Sequence, residues 1–306
     1  MSRNPEPSAL NVPIPVVQEH DVEEGYVQTA PGVFIYYRRI GTGPLVVLLH
    51  GGPGGDHQQI VGLDPLRDQF TLLYYDQRGG GRSTRGMGPE QITWQKHVED
   101  LDAVRIAFGE ERLRILGYSW GGILLQLFAV EQPDRLRRLV FVGTAPPMPE
   151  NFQKINETTN SRLSPETKEW MERVKELQLL DTDLDWVRAV FVRKLWVDAF
   201  VHPKHAGVFD IERMSVSALS SRYTSESLKQ IPDPPEFWQR LEKVKAPALS
   251  VHGTYDPVPL EGAKELVRRL PDARLVTIEE SGHMPWLESP DAFFGPVREF
   301  LASERD

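Results

Sequence analysis

Hydrophobic and polar positions along this chain follow two rhythms, short apolar runs and longer stretches with an apolar residue every three or four positions. Val33 to Ile40 and Pro44 to Leu49 are apolar or alternating, rich in β-branched and aromatic residues, and are separated by Gly41-Thr42-Gly43, which predicts strand, turn, strand. Phe70 to Tyr75, the run from Arg114 into Gly117, Leu136 to Val142, Ala248 to His252 and Ala273 to Ile278 read in the same way. Between them, Ile92 to Phe108 places Val98, Leu101, Val104 and Ile106 at helical spacing, and Trp120 to Gln132 is an apolar helix stopped near Pro133. Further helices are predicted over Leu260 to Leu270 and Pro290 to Ser303. Strands and helices in alternation call for an α/β fold, a mostly parallel sheet covered by helices on both faces.

Two stretches break the rhythm. From Pro146 to about Val244 the segments are charged and helix-periodic, with Pro165 to Leu180, Leu184 to Phe200 and Ile211 to Ile231 separated by Asp, Pro and Gly breakers. This predicts a helical cap inserted after the sixth strand, above the C-terminal edge of the sheet. The chain then divides into a core of 1–145 and 245–306 and a cap of 146–244. Met1 to Gly25 is rich in proline and acidic residues and is expected to be an extended arm. It lacks the basic-then-apolar layout of a secretory signal, and no apolar run approaches the roughly 20 residues that span a bilayer, so a cytoplasmic protein is expected.

Composition narrows the function. A net charge of −9 without a basic cluster argues against nucleic-acid and membrane partners and leaves peptides or small esters and amides as substrates. With no cysteine there is neither a disulfide nor a thiolate nucleophile, and no metal or cofactor is expected. At 306 residues the chain is long enough for one catalytic domain carrying an insertion.

The chemistry gathers at Gly117-Tyr118-Ser119-Trp120-Gly121, a Gly-x-Ser-x-Gly turn between a strand-like and a helix-like run. A serine at such a tip has a strained backbone, and side chains two residues to either side would collide with it, so glycine is wanted on both flanks. A serine hydroxyl needs a histidine base, and that base needs a carboxylate. Downstream of Ser119, His202 and His205 fall in the insertion and His252 ends a strand, which leaves His283, just past the last strand. Asp256 follows a strand directly, whereas Asp272 precedes one and lies on the wrong edge of the sheet. Two N–H donors must also meet the developing oxyanion. Trp120, after the serine, supplies one, and Gly52 in the loop His50-Gly51-Gly52-Pro53-Gly54-Gly55 supplies the other. Asp76 and Arg78, in Asp76-Gln77-Arg78-Gly79, are expected to tie a turn together rather than touch substrate.

These three motifs together resemble the prolyl aminopeptidase (proline iminopeptidase) group of serine hydrolases with the α/β-hydrolase fold. The resemblance covers the sheet domain and implies Ser119 as nucleophile, Asp256 and His283 as its partners, and Gly52 with Trp120 as oxyanion donors. It also implies release of an N-terminal residue, often proline, with cap carboxylates holding the free amine. Asp210, Glu212 and Glu226 are the candidate anchors, against the plainer reading of solvated charges, and Trp196 and Trp238 either wall an apolar pocket or pack helices. Tyr118 and Gly122 stand where the proline-specific enzymes carry glycine and serine. The alternative is a carboxylesterase or lactonase using the same machinery on a small ester.

Overall fold

The buried apolar runs pair into one sheet of nine strands in a computed structural model that describes residues 10–179, 190, 193–208 and 216–303. In chain order the strands are β1 (Pro13–Glu19), β2 (Val22–Ala30), β3 (Val33–Ile40), β4 (Leu45–Leu49), β5 (Thr71–Tyr75), β6 (Leu113–Tyr118), β7 (Leu136–Val142), β8 (Ala248–Gly253) and β9 (Ala273–Ile278). Across the sheet they run β1-β2-β3-β5-β4-β6-β7-β8-β9. The pairs β1·β2, β2·β3 and β3·β5 are antiparallel, and every pair from β5·β4 to β8·β9 is parallel.

The helices are α1 (Trp94–Ala107), α2 (Trp120–Glu131), α3 (Pro149–Arg162), α4 (Pro165–Glu176), α5 (Ala218–Ser227), α6 (Pro234–Leu241), α7 (Leu260–Arg269), α8 (Pro285–Glu288) and α9 (Pro290–Ala302). Side chains alternate across the pleat, so each central strand feeds two cores. Val47, Leu49, Ile115, Leu139 and Phe141 pack with Leu101 and Val104 of α1 and Leu124 and Phe128 of α2. Val46, Leu48, Leu116, Val140 and Val142 pack on the other face with Phe293, Val297 and Leu301 of α9. Every residue of α2 from Trp120 to Val130 is buried, because this helix lies between the sheet and the helices outside it.

Two expectations need correction. The described part of the N-terminal segment, residues 10–25, is not a separate extended arm. Its residues form β1 and β2, and Val27 of β2 is completely buried. β1 is an edge strand exposed along most of its length, a place that tolerates proline and acidic residues and hides the strand from an apolar-run reading. With these strands counted, the helical segment follows the seventh strand rather than the sixth.

Within that segment, α3 and α6 were not expected. α3 (PENFQKINETTNSR) buries only Thr159 and so carries no apolar period to read. α6 is short but well specified. The Asp233 side chain accepts the Glu236 N–H at 3.0 Å as an N-cap, and Phe237 and Leu241 are completely buried. The helix expected over Leu184 to Phe200 ends in a π turn at Trp196–Phe200, and α5 begins at Ala218 rather than Ile211, residues 209–215 lying outside the described ones.

α5 is fastened to the sheet-bearing part at several points, which places it above the C-terminal ends of the strands. Ser217 N–H donates to Gly54 O at 2.8 Å, Trp94 N–H donates to Ser227 Oγ at 2.9 Å, and His97 Nε2 lies 3.0 Å from Thr224 Oγ1. Among the described residues no helix is long and apolar enough to cross a membrane.

Candidate active site

Ser119 sits between β6 and α2 with φ 54° and ψ −118°, a conformation that non-glycine residues seldom adopt. The surrounding backbone holds it there. Ser119 N–H donates to Val142 O at 2.9 Å, and its carbonyl accepts from Gly122 N at 2.9 Å and Ile123 N at 3.3 Å. A Cβ on Gly117 would stand 2.5 Å from Gly121 O, and one on Gly121 would stand 2.8 Å from His50 O. Both flanks of the turn therefore need glycine, Gly117 because it faces Gly121 and Gly121 because it faces the backbone at the end of β4, rather than because either would meet the serine itself.

His283 and Asp256 are brought together from the loops after β9 and β8. Both carboxylate oxygens lie 2.9 Å from His283 Nδ1, so this nitrogen donates its hydrogen to the carboxylate. Asp256 Oδ1 also accepts the Val258 N–H at 2.9 Å. Burial by itself pushes the Asp256 carboxyl up. The His283 charge and hydrogen bond, with lesser help from His252 and the Val258 N–H, outweigh burial and hold it below the usual carboxylate range. The imidazole is wedged between the Tyr118 ring, 4.9 Å away, and the Phe200 ring, 5.0 Å away.

Ser119, His283, Gly52 and Trp120 all line one cavity of about 340 Å³. Gly52 has φ +130°, and a Cβ there would press within 2.8 Å of Gly55 N. The loop backbone runs close to the serine, since a Cβ on Gly51 would lie 3.2 Å from Ser119 Cβ. Trp196 lines the same cavity, as do Ile123, Phe152 and Leu228.

The other cap candidates are elsewhere. Trp238 packs edge-on against Phe237 at 5.4 Å under the Arg269 guanidinium at 5.0 Å, outside the described lining, so it packs a helix rather than walls the pocket. Glu226 is exposed and pairs with Lys229 at 2.5 Å, also outside that lining. Glu212 and Asp210 lie outside the described residues.

Two positions escaped the sequence reading. Gln77 bridges the two strand-end loops. Its amide donates to His50 O at 3.1 Å, and its side-chain oxygen accepts the Trp120 indole N–H at 2.6 Å. Glu288, five residues beyond His283, turns a buried carboxylate toward the backbone on both sides of that histidine. Neighbouring polar residues serve the frame. Asp76 accepts His57 N–H at 2.8 Å and Arg82 N–H at 2.8 Å, while Arg78 forks onto Asp100 with two bonds of 2.6 Å.

Residues 44–290 match the alpha/beta hydrolase fold family across most of the chain, with the serine turn and the histidine loop inside the match. The chain belongs to the alpha/beta-hydrolase family. It is similar to proline iminopeptidase PfmaB of Pestalotiopsis fici, 30% identical over 283 residues that cover 88% of this chain and 96% of that protein. The proline iminopeptidase of Saccharolobus solfataricus is 28% identical over 305 residues, covering 92% and 93%. Among solved structures, a hydrolase from Pseudomonas aeruginosa superposes with a TM-score of 0.68 at 25% identity, covering 92% of this chain and 98% of that one. The proline iminopeptidase of Mycobacterium smegmatis gives 0.65 at 24% identity over 91% and 97%, a likeness of fold. This alpha/beta hydrolase thus stands among relatives named proline iminopeptidase.

Proposed function

We propose that this hydrolase cleaves acyl bonds through an acyl-enzyme on Ser119. His283 Nε2 takes the Ser119 proton as Oγ attacks the substrate carbonyl carbon. Asp256 holds the imidazole in the required tautomer and stabilises the imidazolium that forms. The oxyanion is met by the backbone N–H groups of Gly52 and Trp120. His283 then returns the proton to the leaving group, and water releases the acyl group by the same route in reverse. The observation that carries this reading is that His283, hydrogen-bonded to Asp256, lines the same cavity as a serine held at φ 54°. A fluorophosphonate tests it. Labelling should map to Ser119 and disappear in Ser119→Ala, and turnover should fall by on the order of 10⁶ in that variant.

For substrate, the relatives named proline iminopeptidase support an aminopeptidase that releases proline or another small residue from peptides. In this reading the segment 146–244 acts as the cap, and Asp210 or Glu212 is the anchor for the free amine. One observation favours the ester alternative. The described wall around Ser119 is built from Ile123, Phe152, Ile155, Trp196, Phe200 and Leu228, a lining suited to an uncharged acyl group. Proline 2-naphthylamide and p-nitrophenyl acetate, assayed side by side, separate the two. Rapid ester turnover without amide cleavage would remove the peptidase reading.

A further inference from the structure

The carboxylate of Glu288 receives three backbone N–H groups inside the protein, the residue being only 4% exposed. Oε2 accepts from Gly282 at 2.8 Å and from His202 at 2.9 Å, and Oε1 accepts from Met284 at 3.0 Å. Gly282 and Met284 flank His283, whereas His202 belongs to the segment between β7 and β8. That segment reaches back in turn. Phe200 O accepts the His283 N–H at 2.8 Å, so two hydrogen bonds bracket the histidine loop against residues 200–202. Gly282 permits the approach, because a Cβ there would lie 3.0 Å from His202 N, 3.1 Å from Glu288 Oε1, and hard against Phe200 O.

We propose that Glu288 is a positioning residue that couples the seating of the segment Phe200–His202 to the placement of the His283 imidazole. This rests on the acyl-enzyme reading above. Asp256 fixes the tautomer and tilt of the ring, but the backbone that carries the ring is fixed by other partners. Glu288 grips the N–H groups on either side of His283, and Phe200 grips the N–H of His283 itself. When the segment is unseated, Glu288 loses one donor and the histidine loses its backbone acceptor together. The base then moves off line from Ser119, and rate is steeply sensitive to such displacement. A carboxylate can serve all three donors. A carboxamide has a single acceptor oxygen and would set its own NH₂ against one of the N–H groups.

The test is Glu288→Gln, assayed with p-nitrophenyl acetate at a temperature well below its unfolding midpoint, with active sites titrated by a fluorophosphonate. Per titrated site, kcat should fall about 10- to 100-fold, and phosphonylation of Ser119 should slow by the same factor. KM should stay within about three-fold. Gly282→Ala presses on the same bracket from the other side. The double variant should therefore lose little more than the worse single variant, the mark of coupled residues. A purely structural role predicts a lower midpoint with unchanged kcat per titrated site, and that result would overturn the proposal. Multiplicative losses in the double variant would overturn it as well. Failure of the underlying mechanism looks different, as wild-type protein that takes no phosphonate at Ser119.

Discussion

The indole N–H of Trp120 donates to the side-chain oxygen of Gln77 at 2.6 Å, a link between residues 43 positions apart in the chain. The other end of the Gln77 amide holds His50 O at 3.1 Å, and the Gln77 backbone N–H donates to His50 Nε2 at 3.1 Å. One buried amide thus ties the residue after the serine to the loop that presents Gly52. If those two residues supply the oxyanion donors, Gln77 sets the spacing between them. Gln77→Met keeps the length and removes both bonds. Its kcat should drop about 10- to 100-fold with a smaller change in KM, since removing one oxyanion donor outright costs about 2.7–4 kcal/mol and displacing donors costs less. Steady-state kinetics on one ester check this, and an unchanged kcat would show that the donors are positioned by other bonds.

Two buried histidines make stability depend on pH. Burial pushes His50 down to about 4, against the raising influence of the Asp76 charge, while its Nδ1 donates to Gly51 O at 2.7 Å. Burial, with the Arg78 charge and His50 adding to it, pushes His97 down to about 3. In the unfolded chain both titrate near about 6.5. Between that value and the folded ones only the unfolded chain binds the protons, so stability is full above about 6.5 and falls as the pH drops. Each histidine contributes a loss of about 1.4 kcal/mol per pH unit in that window. His97→Gln should flatten the dependence. The difference in thermal midpoint between pH 7 and pH 5 should be smaller in the variant, and an identical difference would count against His97 as a source.

How far this was legible in the sequence follows from what each residue does. β7 read to the residue, and β4 and β5 to within one, because central strands of a covered sheet are continuous apolar runs that little else resembles; β9 also read to the residue, although it is an edge strand and mostly half-buried or exposed. β1, whose residues are mostly exposed, and α3, which buries only Thr159, gave no such contrast. Ser119, Asp256 and His283 could be chosen because they had to stand at the ends of particular strands. Gln77 and Glu288 could not, since each is a polar residue in or near a loop whose partners are set by tertiary approach. The nearest signal was indirect, a Glu following His283 closely where the loop would otherwise leave its N–H groups without acceptors.

Gly122, just past the serine turn, occupies a position with no room for a side chain. A Cβ at this position would fall 2.6 Å from Thr144 Cγ2 and 2.7 Å from Thr144 Cβ, and Thr144 is buried. Gly122→Ser should therefore destabilise the protein, by about 1–3 kcal/mol as overpacking does. Thr144→Ala removes Cγ2 and Oγ1, two of the three atoms that oppose the new side chain, and keeps Cβ. The double variant Gly122→Ser/Thr144→Ala should recover part of the loss in urea unfolding. Equal destabilisation in the single and double variants would place the conflict somewhere other than Thr144.

Asp256→Asn separates geometry from charge at the histidine. Asp256 Oδ1 accepts the Val258 N–H at 2.9 Å, an N–H that only an oxygen can satisfy. The asparagine oxygen is thereby assigned to that side, and its NH₂ takes the place of Oδ2, which lies 2.9 Å from His283 Nδ1. That donor competes with the Nδ1 hydrogen, although the oxygen at the Oδ1 place also lies 2.9 Å from Nδ1, and it favours a hydrogen on Nε2, the atom that receives the Ser119 proton in the mechanism proposed above. The packing barely changes, yet the imidazole presents the wrong face to the nucleophile. We expect kcat to fall by about 10⁴, as such a tautomer reversal does in other serine hydrolases. Fluorophosphonate labelling of Ser119 should slow in parallel, while the near-ultraviolet circular dichroism stays that of the wild type. A variant that labels at the wild-type rate would mean that His283 does not draw its tautomer from Asp256.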